Sequence, residues 1–290
     1  MHLACAAMGA VCLLLSVCAC DIHNAPSQKR LIGNDILSLP APPADARYSY
    51  GPDEFQFGDL RLPKTAGPHP VAIVIHGGYW RAAYNLDHIG QLSAGLARAG
   101  VAAWSLEYRR IGNSGGGWPG TFDDIVRGAE YLSTIAPRHH LDLGNVVAIG
   151  HSAGGQLALW LAGQRKVPLR GAVSLAGVTD LRRAFELHLS RNVVAAAVPD
   201  RYDKTSPIEL LPLGVPQRLV HGVKDIIVPF QMNEKYRKAA AAAGDDAKLI
   251  ALPGAGHFEL IDPRSKEWTE VEAVVKDLLN TRLACFARTF

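Results

Sequence analysis

The sequence predicts an α/β domain in which helices cover both faces of a mostly parallel central sheet, together with a small cap segment. From Tyr50 onward, short apolar runs rich in β-branched residues alternate with stretches of helical pattern, which is typical of this class. Two of the runs, at 71–75 and 146–149, are apolar without interruption, as expected of strands buried on both faces. Hydrophobic residues make up 48% of the 290 positions, which is enough for a sizeable core and excludes a disordered chain.

The apolar runs define seven candidate strands. The first, at 55–62, alternates apolar and polar residues, so we expect an antiparallel, half-exposed edge strand. The others lie at 71–75, 101–106, 146–149, 171–175, 218–221 and 248–252. Helical patterns cover 86–99, 122–135, 156–163, 233–243 and 267–283. Because parallel strands end at the same edge of a sheet, the loops that follow them are expected to meet there.

The N-terminal residues have the composition of an export signal. Residues 3–20 carry no charge and are followed at once by Asp21 and a polar stretch. The ending at 17–20 resembles the lipobox of bacterial lipoproteins, which implies lipidation of Cys20 and a membrane-tethered protein in the periplasm or cell envelope. An uncleaved membrane anchor and a secreted soluble protein remain as alternatives, since eighteen residues are close to the length that spans a bilayer.

These features predict three parts of the chain. Residues 1–19 form the signal, residues 20–49 form an extended tether rich in proline, and residues 50–290 form one catalytic domain.

Charge and cysteine usage exclude several classes of protein. The formal net charge of +3 is too small to attract a nucleic acid. Four of the five cysteines lie within the first twenty residues, and Cys285 is the only other, so no disulfide framework is expected. His139 and His140 lack partners at metal-ligand spacing, and the glycine run at 114–117 lacks a P-loop lysine. We therefore expect neither a metal nor a cofactor.

The strongest motif is Gly-His-Ser-Ala-Gly at 150–154. It directly follows the strand predicted at 146–149 and directly precedes a helical pattern, which is the context of a nucleophile elbow. On such a strand-to-helix turn Ser152 is the candidate nucleophile. The flanking glycines would remove side chains that collide with neighbouring backbone.

A serine nucleophile needs a base and a carboxylate that orients the base. His257 lies in a glycine-rich loop after the last predicted strand, and Asp225 follows the strand predicted at 218–221. Both positions are at the expected carboxyl edge of the sheet. Among the other histidines, His151 is the variable position of the elbow and His221 lies within a strand, so neither is our candidate base.

The loop His-Gly-Gly-Tyr-Trp at 76–80 follows the strand predicted at 71–75 and is a candidate oxyanion hole. Hydrolases of this type place backbone N–H donors here and on the residue after the nucleophile, which is Ala153. We therefore expect the donors to come from Gly77, Gly78 or Tyr79, together with Ala153.

These motifs together resemble the α/β-hydrolase superfamily, and more closely the esterase/lipase branch that includes kynurenine formamidase. The shared features are HGGYW, the Glu-Tyr-Arg at 107–109, GHSAGG, Ser-Pro at 206–207, HGxxD followed by Val-Pro, and GHF. They span roughly residues 55–285. The resemblance implies an α/β-hydrolase fold, a triad of Ser152, Asp225 and His257, an oxyanion hole at Gly78, Tyr79 and Ala153, and no cofactor.

The residues expected to cover the site indicate a small substrate. The only sizeable segment between predicted strands, 178–214, is too short for a deep lipase lid, so small or medium acyl or aryl groups are expected. Tyr79, Trp80 and Trp118 are candidate apolar walls. Arg81 and Arg109 either bind a substrate carboxylate or lie on the surface.

The first functional hypothesis is a carboxylesterase that forms an acyl-enzyme on a small-molecule ester. The second is an arylformamidase, although export would separate it from an intracellular substrate. The third is a peptidase of the prolyl-oligopeptidase type, disfavoured because no propeller or other gating domain fits in 290 residues. The fourth, from a different class, is a hydrolase fold that binds a ligand without turnover, which usually lacks a residue of the triad.

Overall fold

An eight-stranded sheet forms the centre of the computed structural model, which describes residues 33–280. The strands are β1 (Ala46–Ser49), β2 (Phe57–Arg61), β3 (His69–Ile75), β4 (Ala102–Leu106), β5 (Leu141–His151), β6 (Gly171–Leu175), β7 (Gln217–Gly222) and β8 (Ala247–Leu252). Their spatial order is β1-β2-β4-β3-β5-β6-β7-β8. Strands β3 to β8 are parallel, whereas β2 pairs antiparallel with both of its neighbours.

Nine α-helices connect these strands within the described range. They are α1 (Gly90–Arg98), α2 (Gly120–Glu130), α3 (Leu132–His139), α4 (Ala153–Gln164), α5 (Leu181–Glu186), α6 (Val193–Ala197), α7 (Tyr202–Thr205), α8 (Phe230–Ala242) and α9 (Trp268–Asn280). Short 3-10 helices occur at Gly33–Ser38, Leu86–Ile89, Pro207–Leu210 and Glu259–Ile261. The predicted cap segment contains α5, α6 and α7.

The central strands are buried on both faces. In β3, the side chains of Val71, Ile73 and Ile75 join one apolar cluster, whereas Ala72 and Val74 join another. The first cluster includes apolar residues of α2, α3 and α4, and the second includes those of α1 and α9. Because successive strand residues point to opposite faces, an uninterrupted apolar run can fill both layers at once. The predicted α/β architecture is confirmed.

The seven predicted strands are all present, but the sheet begins earlier than expected. β1 pairs with β2, and Ile36 and Tyr50 are buried in the core. The prediction of a tether up to residue 49 was therefore wrong for residues 33–38 and 46–49, because a short 3-10 helix and a four-residue strand in a proline-rich stretch give little periodic signal. β2 is antiparallel, as predicted, but β1 covers its outer side, so it is not the edge.

Two helix predictions also differ from the structure. The pattern at 86–99 begins as a 3-10 turn before α1, and the pattern at 122–135 is divided at Tyr131 between α2 and α3. At this division the N–H of Thr134 donates to the carbonyl of Tyr131, three residues back. Such a tight turn interrupts a helix without changing the hydrophobic pattern on which the prediction depends.

The predictions for the N-terminal signal, for Cys20 lipidation and for Cys285 fall on residues outside 33–280. Within the described range, no helix combines the length and the apolar character needed to cross a bilayer. The loops after β3, β4, β5, β7 and β8 all leave the same carboxyl edge of the sheet. That edge carries the candidate active site.

Candidate active site

Ser152 lies on the sharp turn between β5 and α4. Its φ of 57° and ψ of −120° are unusual for a residue with a side chain. The turn brings backbone so close that a Cβ on Gly150 would lie 2.0 Å from the carbonyl oxygen of Gly154. A Cβ on Gly154 would lie 2.1 Å from the carbonyl oxygen of Ile75. Both flanking positions therefore require glycine, as the motif predicted.

Asp225 and His257 form a hydrogen-bonded pair. Oδ2 of Asp225 accepts from Nδ1 of His257 at 2.6 Å, and the two side chains are 0% and 4% exposed. Since the carboxylate can only accept, the proton of the neutral imidazole is on Nδ1 and Nε2 is left free as a base.

Three further donors surround the Asp225 carboxylate. Nε2 of His221 donates to Oδ2 at 3.1 Å, and the backbone N–H groups of Ile227 and Val228 donate to Oδ1 at 2.8 and 2.9 Å. Burial by itself would raise the pKa of Asp225, but the hydrogen bonds from His221 and His257 outweigh it and hold the pKa well below its usual range. The carboxylate is therefore ionised at any pH at which the enzyme would work.

The third predicted residue, Ser152, shares a cavity with His257. Both line a pocket of about 90 Å³, and Ser152 is only 2% exposed. The Ser152 hydroxyl makes no hydrogen bond to any side chain within 33–280, so the structure brings the three residues to one site without closing the serine–histidine contact. Such contacts are often long in the absence of a substrate.

The loop after β3 borders the same cavity. Gly78, Tyr79 and Trp80 have φ values of 98°, 49° and 55°, which turn the loop after β3 over Ser152. Gly78 and Tyr79 line the cavity, and a Cβ on Gly77 would lie 2.7 Å from the carbonyl oxygen of His151. Ala153 is the first residue of α4, so its N–H has no acceptor within the helix. These groups could stabilise an oxyanion.

A buried polar cluster around Glu107 supports the loop at 76–80. Oε1 of Glu107 lies 2.9 Å from Nε2 of His76 and 3.0 Å from Nη1 of Arg110, and Oε2 accepts from the N–H of Leu86 at 3.1 Å. Burial by itself would raise the pKa of Glu107. The interactions with His76 and Arg110 outweigh this effect, so the pKa of Glu107 is lowered. The ring of Tyr108 stacks on His76 and its hydroxyl donates to the carbonyl of His76 at 2.8 Å. Glu107 and Tyr108 of the Glu-Tyr-Arg motif, together with Arg110, therefore fix the base of the predicted oxyanion loop.

Two more histidines form a chain next to the pair. Nε2 of His151 lies 2.9 Å from the backbone carbonyl oxygen of His257, and Nδ1 of His151 lies 2.7 Å from Nε2 of His88. Burial, together with the charges of His76 and His257, lowers the pKa of His88 to about 3. Burial, with His257 and His88, lowers the pKa of His151 well below its ordinary value. Both side chains are therefore neutral.

The cavity walls differ from those predicted. Its lining residues are Leu37, Gly78, Tyr79, Tyr84, His88, Ser152, Ile227, His257 and Phe258. Tyr79 is a wall, as expected, and its hydroxyl donates to the carbonyl of Ile227 at 3.1 Å. Trp80 was wrongly predicted as a wall: it is 1% exposed, and its indole N–H donates to Gln156 of α4 at 3.1 Å. Successive positive φ values rotate the chain so that Tyr79 faces the cavity and Trp80 faces the core.

The other predicted substrate contacts lie outside the cavity lining. Trp118 packs on Phe122 with ring centroids 5.2 Å apart. Arg81 donates to the carbonyl of Ser190 at 2.8 Å and thereby ties the loop after β3 to the cap segment. Arg109 forms a two-pronged ion pair with the buried Asp124. Neither arginine is placed to bind a substrate carboxylate in this cavity.

Several residues of the site were not predicted. His151 and His221 were set aside for their positions in the elbow and in a strand, yet each makes a hydrogen bond within the site. Phe258 could have been found from its place beside His257. Tyr84 and His88 have no sequence signal, because they reach the cavity only through the path of the loop after β3.

Among residues 33–280, no three His, Cys, Asp or Glu side chains are grouped so that they could hold a metal ion.

Comparisons with known proteins find relatives and structural neighbours among hydrolases. A kynurenine formamidase of Salmo salar is 22% identical over 258 residues, which cover 83% of this chain and 81% of that protein. A truncated carbohydrate esterase from gut microbiota superposes with a TM-score of 0.69 at 20% identity, covering 82% of this chain and 99% of that one. Esterase 2 of the Planctomycetes species Thermogutta terrifontis, with butyrate bound, gives 0.68 at 19% identity, covering 82% and 94%.

The structural likeness confirms the α/β-hydrolase fold that the motifs implied. The relatives and neighbours support an esterase-like hydrolase. The model of the prolyl oligopeptidase family matches residues 100–280, which is more than half of the sequence and includes Ser152, Asp225 and His257. The chain belongs to the prolyl oligopeptidase family of α/β-hydrolases.

Proposed function

We propose that this protein is a serine hydrolase that cleaves carboxylic esters of small acyl or aryl groups through an acyl-enzyme. The observation that carries the proposal is the convergence of a strained Ser152, a His257 paired with Asp225 at 2.6 Å, and the candidate oxyanion residues Gly78 and Tyr79 at one small cavity. Each of these features would be difficult to explain in a protein that only binds a ligand, since a strained backbone conformation persists only where the surrounding structure maintains it.

In the proposed reaction, Nε2 of His257 takes the proton from Oγ of Ser152 as that oxygen attacks the substrate carbonyl. The N–H groups of Gly78, Tyr79 and Ala153 stabilise the resulting oxyanion. The carbonyl re-forms, the leaving group departs with the proton from His257, and an ester bond joins the acyl group to Ser152. His257 then takes a proton from water as the water oxygen attacks the acyl-enzyme, and it returns that proton to Oγ of Ser152 as the bond between Oγ and the acyl carbon breaks and the acid is released. The negative charge on Asp225 stabilises the imidazolium in both steps.

The size of the cavity supports a small substrate. Its volume of about 90 Å³ is well below the ~300 Å³ at which pockets for drug-sized ligands begin. Leu37, Tyr84 and Phe258 contribute apolar walls, which suit a short acyl chain or the edge of an aromatic ring. A structural neighbour with butyrate bound is in accord with this choice.

Replacement of Ser152 by alanine tests the proposal. We expect Ser152→Ala to abolish turnover of p-nitrophenyl acetate and butyrate, lowering kcat by about 10⁴-fold or more, because no other serine, threonine or cysteine among residues 33–280 lines the cavity. The wild-type protein should also be labelled by a fluorophosphonate probe, and the variant should not. A near-isosteric control is Ser174→Ala, which removes a buried hydroxyl away from the cavity lining. Undiminished turnover in Ser152→Ala would refute the assignment.

A second candidate function is hydrolysis of an aryl formamide. The similarity to a kynurenine formamidase extends over most of both chains, and a formyl group is the smallest acyl group that this cavity could receive. Turnover of phenyl acetate and of N-formylkynurenine by the same preparation would separate the two. If kcat/KM is higher for the formamide by tenfold or more, the amide activity replaces the ester activity as the proposed function.

A further inference from the structure

The chain of histidines beside the site ends at an atom without a partner. His151 contacts the backbone of His257 at one end and His88 at the other, at 2.9 and 2.7 Å. The remaining ring nitrogen of His88, Nδ1, is buried and has no hydrogen-bond partner within residues 33–280. Buried polar side-chain atoms are nearly always paired, so an exception in a candidate active site needs an explanation.

The hydrogen bonds determine which ring nitrogens carry protons. The carbonyl oxygen of His257 can only accept, so Nε2 of His151 must donate to it. Because His151 is neutral, its Nδ1 then has a lone pair, and Nε2 of His88 must donate to that lone pair. Because His88 is neutral as well, its Nδ1 carries no proton. The unpaired atom is therefore a hydrogen-bond acceptor.

The position of His88 connects this acceptor to the substrate. His88 lines the same cavity as Ser152 and His257. Its ring lies among aromatic neighbours, with centroids 6.3 Å from those of Tyr84 and of Phe258, and neither side chain makes a hydrogen bond to Nδ1. A donor that enters the cavity with the substrate would satisfy this acceptor, whereas a substrate without one would leave it unpaired.

We propose that His88 is a specificity-determining residue whose Nδ1 accepts a hydrogen bond from an N–H or O–H group that the substrate carries beside the reacting carbonyl. The inference rests on the proposed function and deepens it, because it names the substrate class. Hydroxyacyl esters and secondary amides belong to this class. Simple alkyl esters and tertiary amides do not.

Two matched variants separate the roles of the two ring nitrogens. In His88→Gln, the side-chain amide nitrogen can replace Nε2 as the donor to His151, but no atom replaces Nδ1. In His88→Asn, the shorter amide places its oxygen near the position of Nδ1 and keeps an acceptor there. Thermal unfolding and fluorophosphonate labelling of Ser152 show whether each variant is folded and whether its nucleophile is intact.

Two substrate pairs that differ only in a donor provide the measurement. On the acyl side the pair is p-nitrophenyl glycolate and p-nitrophenyl propionate, and on the leaving side it is formanilide and N-methylformanilide. We expect His88→Gln to lower kcat/KM about tenfold for the donor-bearing member of at least one pair and less than threefold for its partner. His88→Asn should retain most of the preference.

Three results would count against the inference. If His88→Gln lowers kcat/KM equally for both members of each pair, His88 has a structural role or holds a water molecule instead. If the folded wild-type protein, after correction for rates of hydroxide hydrolysis, shows no preference for either donor-bearing member, the inference fails without reference to any variant. If the wild-type protein is neither labelled at Ser152 nor active on any of the four substrates, the proposed function itself fails.

Discussion

The Asp225 carboxylate shows how single residues determine the candidate chemistry. Four donors converge on its two oxygens, and one of them, Nε2 of His221, is itself held in place. Nδ2 of Asn233 donates to Nδ1 of His221 at 2.9 Å, so the proton of a neutral His221 must be on Nε2. Asn233 thus orients His221, and His221 orients the carboxylate that pairs with His257.

This arrangement predicts that His221 is a positioning residue. In His221→Leu the Asp225 carboxylate loses a donor, becomes more basic and holds the protonated His257 more strongly. We therefore expect kcat to fall about tenfold and the acid limb of the pH–rate profile to move to higher pH.

The conservative variant His221→Gln can keep a side-chain N–H near Asp225 and should restore most of the activity and the position of the acid limb. Profiles of kcat/KM between pH 4 and pH 9 provide the measurement. An unchanged acid limb in His221→Leu would mean that His221 only fills space.

The roles of single residues could be predicted from the sequence only where a motif carried them. Ser152, Asp225 and His257 were named because each follows a strand within a recognisable pattern. His151 and His221 were set aside because one is the variable position of the elbow and the other lies within a strand. Their partners, His88 and Asn233, are distant in the sequence, and only the path of the chain brings them together.

At the scale of secondary-structure elements, the close approach of three of them determines the geometry of the candidate site. β3, β5 and α4 meet at the elbow, where the carbonyl oxygens of Ile75 and His76 lie against Gly154. A side chain there would separate the oxyanion loop from the nucleophile. The strained turn at Ser152 is therefore maintained by contacts between backbone atoms of different elements, which cannot adjust as a flexible side chain could.

We expect Gly154→Ala to destabilise the fold by about 2–3 kcal/mol or more, because the added Cβ would lie 2.1 and 2.6 Å from two backbone oxygens. It should also lower kcat by at least tenfold, since any relaxation moves the oxyanion loop. Urea unfolding and turnover of p-nitrophenyl acetate measure the two effects.

Gly163→Ala is the matched control on the same helix. There the nearest atom to a new Cβ is Cδ2 of Leu213 at 3.2 Å, which is the end of a flexible side chain. Because alanine favours a helix by about 1 kcal/mol over glycine, this variant should change stability by no more than ~1 kcal/mol. Equal effects of the two substitutions would contradict the packing argument.

At this scale the sequence predicted most of the elements but not their ends. Apolar runs located β3 to β8, and those at 71–75 and 146–149 are unbroken because these parts of β3 and β5 are buried on both faces. The four residues of β1 were missed, and the division at Tyr131 was not foreseen, because neither leaves a periodic pattern. Pairing with β2 forms β1, and a local turn in the backbone at Tyr131 separates α2 from α3.

Burial of neutral histidines links the active site to the stability of the whole molecule. In the folded protein, His88 and His151 are buried and their pKa values are lowered. In the unfolded chain, each would have a pKa near its ordinary value of 6.5. Below that pH the unfolded chain binds protons that the folded protein does not. Stability is therefore complete above about pH 6.5 and decreases as the pH falls towards 3.

We expect the free energy of unfolding to decrease by about 1.4 kcal/mol per pH unit for each of the two histidines over this range. Below about pH 4 the lowered pKa of Asp225 adds to the loss, because protonation of its carboxylate then also favours the unfolded chain. Urea unfolding at pH 7, 6 and 5 provides the measurement.

The variant His88→Gln removes one of the two titrating groups. Its free energy of unfolding should change less steeply with pH, by about 1.4 kcal/mol per unit. Another buried histidine, His76, remains in both proteins, so the comparison isolates the contribution of His88. Identical slopes in wild type and variant would show that His88 takes up a proton in the folded state.

The sequence by itself determined the α/β class, the order of the strands along the chain and the identity of the candidate triad. It could do so because local composition encodes burial and because the elbow, the acid loop and the histidine loop each follow a strand. The tertiary structure decided which side chains form the cavity: it turned Trp80 into the core, paired Arg109 with Asp124, and placed Leu37 and His88 beside Ser152. The physical reason is that contacts between distant segments depend on backbone dihedral angles and on packing between elements, which no local pattern of residues specifies.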